Sequence, residues 1–181
     1  MTKVDYSQTI VGYYKNILGR VPSADEVATW NNRIQSGETT LPGLAQTFAT
    51  SSEAVEFSQP VAELYQSLLG RSPDQSGLEH WTTQYKSAVT GGEDSHTALA
   101  SIAHQFFQSA ETQALYGSDG STSADVTESA VTKLYENALG REPGTLANGT
   151  TEVDYWVNKA QTDNLSLQNI ATQFALSPEA T

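Results

Sequence analysis

The chain has 181 residues, of which 38% are hydrophobic. That is enough for a packed core and too many for a disordered chain. Nine basic residues stand against 21 acidic ones, a formal net charge of -12, which argues against a nucleic-acid partner and against direct attraction to an anionic membrane surface unless a divalent cation intervenes.

Cysteine is absent, which excludes disulfides, thiolate zinc sites and a cysteine nucleophile. No stretch approaches ~18 consecutive apolar residues, so membrane insertion is not expected. The opening residues, Met1 to Tyr6, lack the basic and apolar regions of a signal peptide.

In chain order, Ile10, Tyr13, Tyr14, Ile17 and Leu18 fall on one face of a predicted helix. Gly19 follows as a left-handed cap, and Pro22 cannot continue the helix. Arg20, between them, is placed to bond the last carbonyls or a carboxylate elsewhere. Val27, Trp30 and Ile34 then mark a second helix, and Leu41, Leu44, Ala45 and Phe48 a third. Ser51 is a candidate N-cap, with Glu53 well placed for the dipole of the next turn.

The chain then repeats itself. Val61, Leu64, Tyr65, Leu68 and Leu69 lead to Gly70, Arg71 and Pro73; Leu78, Trp81 and Tyr85 follow, then Leu99, Ile102, Ala103 and Phe106, and Ser109 and Glu111. A third pass runs from Val131, Leu134, Tyr135, Ala138 and Leu139 to Gly140, Arg141 and Pro143. It continues with Val153, Trp156 and Ala160, then Leu167, Ile170, Ala171 and Phe174, and ends at Ser177 and Glu179. Arg20, Arg71 and Arg141 are expected to make structural bonds, with Glu53, Glu111 and Glu179 as partners.

The expected fold is all-α: three related three-helix repeats packed as a helical bundle or a short solenoid. The divisions are 1–60, 61–114, a turn-rich linker at 115–130, and 131–181. Insertions fall at Ser87 to Ser95 and at Gly144 to Thr151. The stop at Thr181 reads as the edge of a fragment of a longer chain.

The segment Tyr-x-x-Leu-Leu-Gly-Arg-x-Pro-Asp-x-x-Gly-Leu-x-x-Trp at 65 to 81 resembles the signature of a bacterial helical "domain of unknown function" family of S-layer and RTX-type exported surface proteins. The first copy has Ser23-Ala24-Asp25-Glu26 where the family shows Asp-x-x-Gly, and the third replaces that turn with its insertion. The resemblance implies the N-terminal cell-anchoring region of a Caulobacter-type S-layer protein. Such a region binds the O-polysaccharide of lipopolysaccharide with calcium assisting, and the protein leaves by type I secretion without an N-terminal signal peptide. A looser similarity, to phycobilisome linker domains, implies a protein-assembly scaffold instead.

No catalytic constellation is legible. His80, His96 and His104 do not form a His-Glu-x-x-His pattern, and serine-centred elbows and phosphate-binding glycine loops are missing. The expectation is therefore a non-catalytic structural protein. Aromatic faces stack on sugar rings; the repeated ones fall on apolar faces, which leaves Tyr6, Tyr116 and Tyr155 as candidate glycan contacts. Calcium needs converging oxygen ligands from a flexible loop, for which Asp119, Asp125, Glu93 and Asp94 are the candidates. Gly19, Arg20, Trp30, Gly70, Arg71, Trp81, Gly140, Arg141 and Trp156 form the structural repeat motif. Self-association in a lattice at the cell surface is the further expectation of the resemblance.

Overall fold

A computed structural model describes residues 4–177 and 179. The described chain is all-α. Its helices are α1 (Ser7–Ile17), α2 (Ala24–Gln35), α3 (Leu41–Ala49), α4 (Gln59–Leu69), α5 (Gln75–Thr90), α6 (Ser95–Phe107), α7 (Ala110–Tyr116), α8 (Glu128–Leu139), α9 (Glu152–Asp163) and α10 (Leu167–Ala175). A π-helical turn, Ala54–Ser58, runs into α4, and a 3-10 turn, Ser123–Asp125, precedes α8. Among the described residues there is no strand, only an isolated bridge between Thr145 and Thr151 inside the third-repeat insertion. None of the described helices is long and apolar enough to cross a membrane.

Local chemistry explains where the helices begin. Ser23, Thr40, Asp74, Asp94, Ser109, Thr127, Thr151 and Ser166 each accept a backbone N–H of the first turn. Such a cap contributes about 1 kcal/mol. Ser23 and Glu26 complete a reciprocal capping box at the start of α2. The helices α1, α4 and α8 end on Gly19, Gly70 and Gly140, all with positive φ (63°, 65° and 62°). The cost of that backbone region for other L-residues explains why glycine stands there.

The chain divides into two compact units, residues 1–62 with 73–92 and residues 63–72 with 93–181. In the first, Ile10, Tyr14, Leu18, Leu44, Phe48 and Ala54 form a buried cluster, against which Tyr6, Val27 and Trp30 pack. The helix α5, sequentially part of the second repeat, packs on α1 and on the π-helical turn.

In the second unit, Leu64, Leu68, Phe107, Val131, Leu134, Leu167 and Ile170 are fully buried. Each such side chain contributes about 1.5–3 kcal/mol. Residues 115–130 are tied down within this unit. Val126 and Ala130 are buried, Gln168 donates from its backbone to Gly120 O and from its side chain to Asp119 O, and Gly120 lies so close to Phe107 that a Cβ would stand 2.7 Å from its ring.

Candidate functional site

Each Leu-Gly-Arg turn builds the same small assembly. The left-handed glycine lets the chain double back, so that the Arg20 N–H bonds Tyr14 O (3.3 Å) and the Arg141 N–H bonds Tyr135 O (3.4 Å). This return carries the guanidinium over the tyrosine four residues before the Leu. The distances to the ring centroids are 4.7 Å for Arg20 on Tyr14, 5.3 Å for Arg71 on Tyr65 and 4.7 Å for Arg141 on Tyr135, within cation–π range. A phenylalanine from the third helix meets each tyrosine edge-on: Phe48 at 4.6 Å, Phe106 at 4.7 Å and Phe174 at 4.9 Å. In the first and third repeats the tryptophan indole donates to the tyrosine hydroxyl at 3.1 Å.

The arginines then meet carboxylates. Arg20 donates to Glu53 from Nε (2.7 Å) and to both oxygens of Glu26 from its terminal nitrogens (2.6 and 3.0 Å). Arg71 grips Glu111 through two bonds of 2.6 and 2.7 Å. Arg141 grips Glu152 in the same forked way (2.7 and 3.0 Å) and approaches Glu179 at 3.6 Å. Glu53, Glu111 and Glu179 thus stand where the repeat pattern pairs them with arginine.

Glu26 and Glu152 were not legible as arginine partners. Ser23-x-x-Glu26 does advertise a capping box in the sequence, but Glu152 lies behind an insertion that hides its register.

The electrostatics follow from these bonds. Hydrogen bonding from Arg20 holds the Glu26 carboxyl at about 2, and Arg141 does the same for Glu152. Burial opposes the charge on Glu53, yet bonds from Arg20 and Lys86 outweigh it and keep that carboxyl below its ordinary value. Burial raises the Tyr14 and Tyr135 hydroxyls. Carboxylates locked in this way stay ionised and are poorly suited to exchanging protons near neutral pH.

Two depressions lie in the second unit. One, of about 350 Å³, is lined by Tyr135, Arg141, Glu152, Trp156, Phe174 and Glu179. The other, also about 350 Å³, is shallow and polar, lined along α9 and its preceding loop by Asn148, Thr150, Tyr155, Asn158, Lys159 and Thr162.

The candidate glycan tyrosines separate. Tyr155 is exposed (43%) and sits in the polar depression. Tyr6 is partly buried against the first-unit core. Tyr116 corrects the sequence reading: it is a core residue at the end of α7, its ring 5.4 Å from Phe107 and its hydroxyl bonded to Leu68 O at 3.0 Å. It lies in a stretch rich in turn formers, where no pattern of apolar residues signals that α7 carries it inward. Burial pushes its hydroxyl well above the ordinary value.

The candidate calcium ligands do not converge either. Among the described residues no group of three His, Asp or Glu side chains is placed to hold a metal ion. Asp94 caps α6 and bonds Thr97, Asp119 accepts from Ser121 N at 3.0 Å, and Asp125 accepts from the N–H and hydroxyl of Thr122, both at 2.8 Å. Glu93 is exposed beside the Asp94 cap. Turn-forming residues and loop calcium ligands are the same residue types, and here the turns claim them. Of the histidines, His80 bonds Gln84 at 2.8 Å and His104 bonds Gln168.

A family model described as "Domain of unknown function (DUF4214)" matches residues 45–94 and 103–181. The chain belongs to this family. Both matches open on the alanine of an Ala-x-x-Phe motif, Ala45 and Ala103, so the DUF4214 unit begins in a third helix and runs on through the following Leu-Gly-Arg turn and Trp helix. That phasing groups α3, the π-helical turn and α5, which share the first compact unit. No curated protein and no solved structure matches the chain.

Proposed function

We propose that this chain is a non-catalytic anchoring module of an exported surface-layer protein, holding the O-polysaccharide of lipopolysaccharide at the cell surface. The observation that carries the reading is the shallow depression along α9. Its exposed Tyr155 ring offers a flat face for a pyranose, while Asn148, Thr150, Asn158 and Thr162 offer amides and hydroxyls for sugar hydroxyls. The locked Arg–Glu clusters support a structural role for the repeated polar residues. Calcium assists in this reading by offsetting repulsion between an acidic chain and an anionic saccharide; export by type I secretion belongs to the same proposal.

The test is binding of the chain to purified lipopolysaccharide, with calcium and then with EDTA, before and after removal of the O-polysaccharide. Saturable binding lost on that removal, and weakened by Tyr155→Ala, is the expected result. Binding indifferent to the polysaccharide overturns the reading. A second reading, a scaffold for protein assembly, is favoured by the way α5 of one repeat packs on α1 of the repeat before it.

A further inference from the structure

We propose that Asn148 is a modification site: it deamidates through a cyclic imide formed with Gly149, leaving aspartate or isoaspartate at the edge of the depression along α9. Asn148-Gly149 is the single Asn-Gly pair in the chain. It sits at the tip of the third-repeat insertion, where Gly149 N donates to Leu146 O and Leu146 N to Thr150 O, both at 2.9 Å. Both residues of the pair are exposed. Gly149 lies in the left-handed region (φ 85°), with open space where a Cβ would stand, so no side chain shields its nitrogen. The Thr150 N–H donates to Asn148 Oδ1 at 3.0 Å. That bond polarises the carboxamide and is aimed where negative charge develops when Cγ is attacked.

The exposure is a property of this loop. Val21 and Ser23, in the corresponding loop of the first repeat, and Ser72 and Asp74, in that of the second, are exposed as well, with a full repeat or more of chain beyond each. The base of the insertion is fixed, because Glu152 N donates to Gly144 O at 2.9 Å and Glu152 Oε2 accepts from Gly144 N at 2.6 Å. Opening the tip uncovers no core, since Ala147, Asn148 and Gly149 are exposed already.

The reaction needs only water, and so does not rest on the glycan reading. Hydroxide takes the proton of Gly149 N, the nitrogen lone pair forms a bond to Asn148 Cγ, and the Cγ–Nδ2 bond breaks as ammonia leaves with a proton from water. Water then opens the imide. Addition at Cγ restores the backbone with aspartate; addition at the main-chain carbonyl carbon leaves isoaspartate, with the chain routed through the side chain. One water is consumed and one ammonia released. An amide that donates and accepts becomes a carboxylate that only accepts, in the depression it shares with Tyr155 and Lys159.

Asp119-Gly120 is an internal contrast. It has the same local bond, Ser121 N to Asp119 Oδ1 at 3.0 Å, and closes the same imide with loss of water. Yet Gly120 is buried, and Gln168 bonds the main-chain carbonyls of both residues, at 3.0 Å and 2.7 Å. That pair is held away from the geometry ring closure needs.

The full chain is incubated at mildly alkaline pH, folded and in urea, and its tryptic peptides are fragmented to place each change. The expected product carries O in place of NH at Asn148, as aspartate and isoaspartate, at a rate proportional to hydroxide and within severalfold of that in urea. Asp119 should give isoaspartate in urea alone. Asn148→Gln should remove the signal, because a larger imide ring closes far more slowly, and Gly149→Ala should slow it severalfold. Thermal melts like the parent's establish that both variants fold. The proposal is overturned if Asn148 reacts only in urea, if the other asparagines of the folded chain react as fast, or if folded Asp119 isomerises as readily as Asn148 deamidates.

Discussion

The first and third Leu-Gly-Arg turns share one internal construction and differ in what lies on top. Each sets a left-handed glycine, an arginine over a tyrosine ring, an indole on the tyrosine hydroxyl and a phenylalanine edge in the same relation. At the first turn α5 covers the glycine and adds Lys86 to the cluster; at the third the glycine and Arg141 are exposed. The repeated residues therefore specify the inside of each repeat. The identity of the covering helix is decided by residues that do not repeat.

The comparison breaks most decisively at the shared core. Phe48→Ala and Phe174→Ala each remove a ring that is 4% exposed and packed against both the tyrosine and the tryptophan. Each should cost about 3–5 kcal/mol. Urea denaturation of the two variants should give similar losses. A much smaller loss for Phe174→Ala would show that the third assembly is not a core in the sense the first is.

Next in size is the glycine contrast. Alanine at either position takes on the left-handed backbone at about 1–2 kcal/mol. Gly19→Ala also drives a methyl into Thr82, whose hydroxyl is buried with no hydrogen-bond partner, and such overpacking adds about 1–3 kcal/mol. Gly140→Ala, at a turn that is exposed where Gly19 is buried, should cost less than Gly19→Ala. Equal midpoints for the two variants would mean that α5 does not seat tightly on Gly19.

Much of this arrangement is legible in the sequence. The 3.6-residue spacing of apolar side chains located the helices, because burial of one face is what stabilises them. Leu-Gly-Arg-x-Pro marked the helix stops, because only a left-handed cap needs glycine there. The pairing of Arg20 with Glu53 followed from repetition alone. What escaped the sequence was tertiary. Tyr116 sits among glycines and serines yet is buried, since the hydroxyl of a tyrosine finds a carbonyl inside a fold as readily as water outside it. Asp94 and Asp125 are of a residue type that can serve as loop ligands, and the structure uses them in helix-start bonds to Thr97 and Thr122. Nothing in one repeat announces that its second helix will pack on the repeat before.

Acid should sharpen the comparison further. Arg20 and Arg141 lower Glu26 and Glu152 from an ordinary 4.5 to about 2. A carboxylate whose folded value is depressed contributes its full stability above the unfolded value and loses it as pH falls through the folded one. Melting temperature should therefore decline between about pH 4.5 and pH 2, and Glu26→Gln and Glu152→Gln should each flatten that decline. A parent profile that is level across this window would mean that the forked bonds do not persist in solution.

The smallest expected effect is that of Lys86. Its ion pair with Glu53 is partly exposed, with lysine and glutamate side chains 41% and 25% accessible, and pairs of that kind contribute about 0.2–1 kcal/mol. Removing Lys86 does not strand a buried charge, because Glu53 keeps Arg20 at 2.7 Å. Lys86→Ala should therefore cost less than ~1 kcal/mol in urea, and the cost should shrink at 1 M salt, where screening acts within about 3 Å. Lys159→Ala, which breaks the 2.7 Å pair with Asp163 within α9, is the local control for an exposed ion pair. If Lys86→Ala costs no more than this control, the fit of Thr82 over Gly19, rather than charge, holds α5 in place. If it costs well above 1 kcal/mol and resists salt, Lys86 is held by the aromatic face of Phe57, 5.1 Å away, as much as by the carboxylate.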